Sequence, residues 1–256
     1  MGGRSYVIDT PIPSGPVDGN GNGHRRLPMI DGELVDSAAV RAEVESLDAE
    51  EIIAWALEGF GHDLRFAVSF QKTSSVMVDL VNRIEPRARF FYVDTGLLFP
   101  ETYETRDALE EHYGVKFERI ADRITAEQGG PDAANLLPPE RACCADRKVE
   151  LMGTALGEVS CWASGIRRVD SRTRAKAPKF GWDERFGLWK LNPLADWDDK
   201  RVWNYIKDHH VPYNPLHDQG YPSIGCMPCT SAAPDGEDAR AGRWAGTDRT
   251  ECGING

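Results

Sequence analysis

Apolar and polar positions divide the chain into alternating helices and strands from about residue 48 onward. Asp48 with Glu51 forms a capping-box pattern, which predicts that the second of two helices begins there. The predicted apolar face of this helix consists of Ile52, Ile53, Trp55, Ala56 and Phe60. Gly59 and Gly61 mark its end.

The alternation continues through the middle of the chain. Short apolar runs predict buried strands, and amphipathic segments between them predict helices. The predicted strands cover residues 64–68, 89–93, 115–120 and 158–163. One predicted helix follows the first strand, and its apolar positions are Val76, Met77, Leu80, Val81 and Ile84. Two further predicted helices cover Pro100–Tyr113 and residues 143–156. This order predicts an α/β fold with a doubly wound, mostly parallel sheet flanked by helices.

The two ends of the chain have a different composition. Residues 1–31 are rich in Gly, Pro and Asn and are expected to form a flexible arm. Residues 32–230 are predicted to form a single domain, which ends with a hairpin at 180–191 and a helix at 198–209. Residues 231–256 form a Gly-rich, charged segment that is expected to be a mobile tail. We find no internal repeat.

Polar turns follow three of the predicted strands. Ser69, the Asp94-Thr95-Gly96 turn and Gly165 would all lie at the carboxyl edge of the sheet, where such folds bind ligands. Each turn alone is typical of an ordinary connection, but together they favour a nucleotide pocket. The segment from Ser69 to Ser75 leads into a helix, a layout whose backbone N–H groups can hold an anion. After Gly165, a loop with five basic residues (167–176) leaves the same edge, where guanidinium groups can bind phosphate or sulfate.

Composition and charge narrow the class of protein. The chain has 256 residues, 41% of them hydrophobic, which is enough for one sizeable core. Its 30 basic and 41 acidic residues give a net charge of −11, which argues against a general nucleic-acid or membrane-surface binder. The start lacks the apolar core of a signal peptide, and no apolar run is long enough to span a membrane. We therefore expect a cytoplasmic protein, whose six cysteines are reduced and serve as metal ligands or reactive groups.

Four cysteines are candidate metal ligands. Cys226 and Cys229 form a Cys-x-x-Cys pair among Gly and Pro, which alone is compatible with a redox dithiol, a zinc knuckle or iron-sulfur ligation. The adjacent pair Cys143 and Cys144 favours a four-thiolate site. Adjacent thiolates at a helix start suit a compact cubane better than a zinc tetrahedron. Lys148, four residues after Cys144, is the cation expected to touch both cluster and substrate.

The other two cysteines differ in their surroundings. Cys161 lies in an apolar strand and is expected to be a core residue. Cys252 lies in the tail, 252 − 229 = 23 residues beyond the last proposed ligand. Such a tail can fold over a pocket or extend to a partner protein, and a thiolate there is a candidate nucleophile. Arg240 and Arg243 in the same tail could lower its pKa or clamp an anion.

Together these motifs resemble the assimilatory adenylyl-sulfate reductases of the sulfonucleotide reductase family, over roughly residues 48–253. The residues that carry the resemblance are Cys143-Cys144 with Arg147-Lys148, the Gly165-x-Arg167-Arg168 loop, the segment from Tyr213 through His217 to Cys226-x-x-Cys229, Arg240-x-x-Arg243-Trp244 and Glu251-Cys252-Gly253.

The resemblance implies a complete functional assignment. It implies an ATP-pyrophosphatase-like fold, one [4Fe-4S] cluster on the four cysteines, and reduction of adenosine 5′-phosphosulfate to sulfite and AMP in sulfate assimilation. Cys252 would attack the sulfate sulfur to give an S-sulfocysteine that thioredoxin cleaves. The implied nucleotide contacts are Ser69, Val93, Thr95 and Gly165, and the implied phosphosulfate contacts are Lys148, Arg174, Arg240 and Arg243. Neither nucleic acid nor membrane is an expected partner, and homo-oligomerisation is compatible with the sequence.

Two departures and three alternatives accompany this resemblance. The loop from Ser69 to Ser75 lacks the Gly-Gly of ATP-splitting relatives, and the tail ends Gly253-Ile254-Asn255-Gly256 where the family has Gly-Leu-His.

The alternatives are reduction of the 3′-phosphorylated nucleotide PAPS, an adenylating sulfurtransferase that modifies RNA, and a non-catalytic zinc-binding interaction module. The four cysteines favour adenylyl sulfate over PAPS, and the acidic surface argues against an RNA substrate.

Overall fold

The structure is a computed structural model. It describes residues 6–7, 29–30, 33–34, 38–121, 145–233, 240–244, 251 and 253–254. Three short strands, β1 (Tyr6–Val7), β2 (Met29–Ile30) and β3 (Glu33–Leu34), pair antiparallel in that order. Part of the predicted arm is therefore paired in a small sheet. The predicted domain divisions after residues 31 and 230 stay predictions.

A six-stranded sheet forms the centre of the fold. Its strands are β4 (Leu64–Ala67), β5 (Phe90–Val93), β6 (Phe117–Ile120), β7 (Cys161–Ala163), β8 (Phe180–Asp183) and β9 (Leu188–Leu191). They lie in the order β6-β5-β4-β7-β9-β8, and every pairing is parallel except that of β8 with β9. The predicted doubly wound, mostly parallel sheet and the predicted hairpin are confirmed.

Six α-helices are found among the described residues. They are α1 (Ala38–Ser46), α2 (Ala49–Phe60), α3 (Lys72–Ile84), α4 (Pro100–Tyr113), α5 (Ala145–Leu156) and α6 (Asp199–His209). The capping box of Asp48 and Glu51 is present at α2, and Asp198 caps α6. Gly114 ends α4 with a φ of 67°, a left-handed conformation in which glycine is not strained. None of these helices is long and apolar enough to cross a membrane.

Neighbouring residues of one strand point into two separate cores, one on each face of the sheet. Phe90 and Cys161 belong to the larger core, whereas Phe91 and Trp162 belong to a smaller one beneath α5. The strand at 158–163 is shorter than predicted, because the N–H of Val159 still donates to the carbonyl of Leu156 in the turn that ends α5 (3.3 Å).

The strand order reverses between β4 and β7. The chain proceeds from β4 outward to β5 and β6, and then crosses to β7 on the other side of β4. A crevice is expected outside the carboxyl ends of the strands at such a point. Ser69 follows β4 there and Gly165 follows β7. A Cβ on Gly165 would lie 3.3 Å from the backbone nitrogen of Ser74, so a residue without a side chain lets this loop approach the start of α3.

Candidate active site

A cleft with a volume of about 180 Å³, partly open to solvent, lies at this reversal point. Its walls come from the turn after β4, the end of β5, helix α5, the loop after β7, residues 217–225 and the tail. Among the predicted site residues, the lining includes Ser69, Val93, Lys148, Gly165, Arg174, Arg240 and Arg243. The fold thus brings side chains from distant parts of the sequence to one place.

Thr95 lies elsewhere. It is fully buried and does not line the cleft. Its Oγ1 lies 3.1 Å from Sγ of Cys226 and accepts a hydrogen bond from the N–H of Leu97 (3.3 Å). The Asp94-Thr95-Gly96 turn directs this side chain towards the cysteine turn, and the contact of Thr95 with the nucleotide stays a prediction.

His217 holds the start of α3. Its Nε2 accepts a hydrogen bond from the N–H of Lys72 (3.1 Å), and its Nδ1–H donates to the carbonyl of Tyr221 (2.8 Å). Burial, and after it the charge of Lys72, lower the pKa of His217 to about 4, so the ring is neutral near pH 7. The first N–H of α3 is already satisfied by this ring, which restricts the anion site predicted from the Ser69–Ser75 segment.

Gln71 joins the same turn to the cysteine-bearing segment. Its Oε1 accepts from the N–H of Ile224 (2.8 Å), and its Nε2 donates to Oγ of Ser69 (3.4 Å). His217 and Gln71 line the cleft, yet sequence reasoning gave them no role. His217 lies within the motif that carried the resemblance, but nothing in its local spacing ties it to a helix 145 residues away.

Cys226 and Cys229 share one turn, as their spacing predicts. Cys226 pairs with Leu98 in an isolated bridge, and a short 3₁₀ turn, Met227–Cys229, follows it. Cys226 is buried and Cys229 is half-buried. Cys143 and Cys144 lie outside the described residues, and α5 begins directly after them at Ala145. Within the described part of the chain, no group of three or more metal-ligating side chains occurs.

The tail segment 240–244 packs across this cysteine turn. The N–H of Trp244 donates to the carbonyl of Cys229 (3.1 Å), and Arg243 pairs with Thr230 in a bridge. The Arg243 guanidinium donates to Oγ of Ser223 (3.2 Å) and to the carbonyl of Ile224 (3.3 Å). A Cβ on Gly225 would lie 2.3 Å from Nη2 of Arg243, so glycine is required for this approach.

Glu251 joins the far end of the tail to the cleft. Its carboxylate accepts two parallel hydrogen bonds from Arg174, Nε to Oε1 at 3.0 Å and Nη2 to Oε2 at 2.8 Å. Nη2 of Arg240 donates to the same Oε2 at 3.0 Å. Burial alone would raise the pKa of Glu251, but the hydrogen bonds and charges of the two arginines outweigh it and lower that pKa. The carboxylate is therefore ionised near neutral pH.

The family model described as the phosphoadenosine phosphosulfate reductase domain matches residues 63–232. The chain belongs to this family. An adenosine 5′-phosphosulfate reductase of Rhodococcus opacus is 41% identical over 236 residues, covering 88% of this chain and 96% of the relative. One of Streptomyces coelicolor is 44% identical over 230 residues, with the same two coverages of 88% and 96%.

Solved structures agree on the fold of this reductase family. A phosphoadenylyl-sulfate (PAPS) reductase from Candida auris has a TM-score of 0.63 and 25% identity, covering 76% of this chain and 98% of its own. The Candida glabrata FMN adenylyltransferase has a TM-score of 0.54 and 15% identity, covering 79% of this chain and 67% of its own, and it resembles this reductase in fold only.

The reductase cleft is strongly cationic although the chain carries a net charge of −11. Asp170 is the one acidic residue in the described lining. Against it stand six basic residues, namely Lys72, Lys148, Arg167, Arg174, Arg240 and Arg243. Such a local excess attracts an anionic ligand far more than the whole-chain charge suggests.

Two of these basic residues, Lys72 and Arg167, form ion pairs with the same carboxylate. Arg167 pairs with Asp170 (2.8 Å) and with Asp199 (2.7 Å), and Lys72 also reaches Asp199 (3.2 Å). Burial opposes ionisation of Asp199, but the charges of Lys72 and Arg167 outweigh it and lower its pKa. These contacts fix the loop after β7 against α6.

The remaining cysteines are Cys161 and Cys252. Cys161 is fully buried in β7, and burial raises the pKa of its thiol, which suits a core residue rather than a nucleophile. Cys252 lies outside the described residues, but both Glu251 before it and Ile254 two residues after it contact the cleft region. The Ile254 side chain packs against the smaller core and lines the cleft.

Proposed function

We propose that this protein reduces adenosine 5′-phosphosulfate to sulfite and AMP in sulfate assimilation. The observation that carries the proposal is the engagement of Glu251, the residue directly before Cys252, with Arg174 and Arg240 at a cationic cleft. A tail bound to these two arginines can present a thiolate to an anionic substrate. The names of the relatives at about 40% identity support the same reaction.

The reaction has two steps. The Cys252 thiolate attacks the sulfate sulfur, forming an S–S bond while the sulfur–oxygen bond to the phosphate breaks, and AMP leaves with that electron pair. The product is an S-sulfocysteine. A thioredoxin thiolate then attacks Sγ of Cys252, sulfite departs, and the second thioredoxin thiol resolves the mixed disulfide. Thioredoxin dithiol is oxidised to the disulfide as sulfur(VI) is reduced to sulfur(IV).

The residues of the cleft bind and orient the nucleotide. Ser69, Val93 and Gly165, which line the cleft, would border the adenosine together with Thr95 in the turn after β5. Four basic residues of the lining would face the phosphosulfate, namely Lys148, Arg174, Arg240 and Arg243. Two-point contacts from a guanidinium suit phosphate and sulfate oxygens. Gathered cations also stabilise the charge that develops on the departing AMP phosphate.

Cys143, Cys144, Cys226 and Cys229 are the proposed ligands of one [4Fe-4S] cluster. The two described members fit this group, since two thiols on one Pro-containing turn can bind from the same side. Arg147 supplies a cation beside them, because its Nη2 donates to the carbonyl of Thr95 (3.2 Å), whose hydroxyl contacts Cys226. When bound, such a cluster supplies a compact centre whose negative charge is offset by nearby cations. A thioredoxin-dependent reaction with reduced thiols would suit the cytoplasm, which is the location we propose.

The decisive experiment is incubation with adenosine 5′-phosphosulfate, thioredoxin, thioredoxin reductase and NADPH, with sulfite and AMP measured. Wild-type protein should release both in equal amounts. Cys252→Ser should keep nucleotide binding but lose turnover, whereas Cys161→Ala should turn over normally. Absence of sulfite from wild-type protein with a full complement of iron, or steady release from Cys252→Ser, would contradict the proposal.

A second candidate is reduction of PAPS. The description of the matching family and the Candida auris relative favour it. The same assay with PAPS decides between the two, because the preferred substrate should have the higher kcat/KM.

A further inference from the structure

We propose that Gln71 is a positioning residue that joins two sides of the cleft. Its side-chain amide fixes the turn after β4, which carries Ser69, to the segment 223–225, which holds the guanidinium of Arg243. This inference rests on the proposed function and deepens it, because Ser69 and Arg243 are two of the proposed substrate contacts.

The turn after β4 contains a strained residue. Phe70 has a φ of 57°, a left-handed backbone conformation that bulky residues rarely adopt. Its ring is buried and packs edge-on against Tyr92 and Phe117, with ring centroids 5.1 Å apart in each pair. Strain of this kind persists only where several contacts hold the backbone, and it is concentrated at ligand sites. Here it lies in the wall of the cleft, between Ser69 and Gln71, which both line it.

The direction of the Gln71 amide follows from its partners. The backbone N–H of Ile224 can only donate, so the amide oxygen Oε1 faces it, at 2.8 Å. The amide nitrogen Nε2 therefore faces Ser69 and donates to its Oγ at 3.4 Å. An Oγ that accepts from Gln71 keeps its own hydrogen for another acceptor, such as a ribose or phosphate oxygen. Gln71 thus orients the Ser69 hydroxyl as a donor to the nucleotide.

Arg243 binds the same segment through the other peptide group of Ile224. Its guanidinium donates to the Ile224 carbonyl at 3.3 Å and to Oγ of Ser223 at 3.2 Å. The N–H of Ile224 bonds to Gln71, so the segment is fixed by both residues. Loss of the Gln71 bond would release the segment that supplies both of these acceptors, and the guanidinium would lose its fixed direction in the cleft.

A substitution of Gln71 should leave the turn folded. The N–H of Lys72 donates to Nε2 of His217 at 3.1 Å, and the N–H of Ser69 donates to Oγ of Ser74 at 3.3 Å. Neither of these bonds uses the Gln71 side chain. Variants of Gln71 should therefore change the alignment of the two sides of the cleft without unfolding the turn.

The Kd for AMP, measured by calorimetry on protein with its full complement of iron, tests this role. Gln71→Met keeps the length of the side chain but loses both hydrogen bonds of the amide, and it should weaken AMP binding about tenfold. Gln219→Met, at the exposed end of the 3₁₀ turn Pro215–Gln219, is the matched control and should bind AMP like the wild type. Unchanged AMP binding by Gln71→Met would overturn the inference.

Double variants distinguish positioning from a general loosening of the cleft. Ser69→Ala should weaken AMP binding about fivefold in wild type but no more than about twofold in Gln71→Met, because the Ser69 hydroxyl depends on Gln71 for its orientation. Lys148→Ala, a change in α5, should have the same effect on AMP binding in both backgrounds. Independent effects of Ser69→Ala and Gln71→Met, or equal coupling of Gln71 to Ser69 and to Lys148, would overturn the inference.

Binding of AMP does not require turnover, so the two proposals can fail separately. A wild-type protein that binds AMP and shows this coupling but releases no sulfite would support the inference and contradict the proposed function. A wild-type protein that does not bind AMP would contradict both.

Discussion

Acidification should destabilise the fold through His217. The neutral ring makes two hydrogen bonds at once, accepting from the N–H of Lys72 at 3.1 Å and donating to the carbonyl of Tyr221 at 2.8 Å. A protonated ring has no acceptor nitrogen, so it would lose the bond to Lys72 and add a positive charge beside that lysine. Burial and the Lys72 charge accordingly lower the pKa of His217 to about 4.

The magnitude follows from the difference between the folded and unfolded pKa values. The unfolded ring titrates at about 6.5, so between pH 6.5 and 4 the unfolded state binds the proton more readily. The contribution to stability is present above pH 6.5 and is lost as the pH falls toward 4. With a folded pKa of about 4, the linkage relation gives a loss of about 2 kcal/mol between pH 7 and pH 5.

Urea unfolding of wild type and His217→Gln at pH 7 and pH 5, followed by tryptophan fluorescence, tests this reasoning. A glutamine oxygen can still accept from the N–H of Lys72 but does not titrate, so the variant should lose about 2 kcal/mol less than wild type over this range. Asp199 and Glu251, whose pKa values are also lowered, contribute equally to both proteins and cancel in the difference. The same pH dependence in both proteins would refute the assignment. His62→Gln, an exposed histidine, is the matched control.

Two further predictions concern the cysteine turn. Cys226→Ser should give protein with little visible absorption and substoichiometric iron. Cys161→Ala should keep its colour, and its free energy of unfolding should fall by about 1 to 2 kcal/mol because a small core cavity forms. The reverse pattern would contradict the ligand assignment. Gly225→Ala should displace the Arg243 guanidinium and weaken AMP binding about tenfold, because a Cβ would lie 2.3 Å from its Nη2. Gly153→Ala, in α5 with nothing within 4 Å of the added Cβ, should bind AMP normally.

The elements that the sequence predicts well are those with local signals. Helix α2 begins where the Asp48 capping box places it, and α4 covers Pro100–Tyr113, with proline at its first turn and Gly114 at its end. Alternation of strands and helices is likewise a pattern of neighbouring residues, and it sufficed to predict the sheet and the edge on which Ser69 and Gly165 meet.

Contacts between distant segments could not be predicted from patterns of neighbouring residues. Thr95 occupies the predicted turn, but its side chain points to Cys226, 131 residues away, and no periodicity encodes that direction. The partner of Arg174 is Glu251, 77 residues later, and the sequence alone suggested a substrate oxygen for the same guanidinium. In both cases local patterns could not predict the tertiary contact, and the predicted contact with the substrate stays a prediction.

The distribution of carboxylates in the cleft indicates where the substrate anion is most strongly drawn. Arg167 and Arg174 face carboxylates of the chain, so much of their charge is compensated. Arg243 differs: among the described residues, its hydrogen-bond acceptors are the hydroxyl of Ser223 and the carbonyl of Ile224, both neutral. A buried guanidinium with neutral partners retains its positive potential, and it is held rigidly by the bridge to Thr230, directly after Cys229. The turn that carries the proposed metal ligands therefore also fixes a buried cation of the cleft, which would give the cysteine turn a role in substrate binding apart from any transfer of electrons.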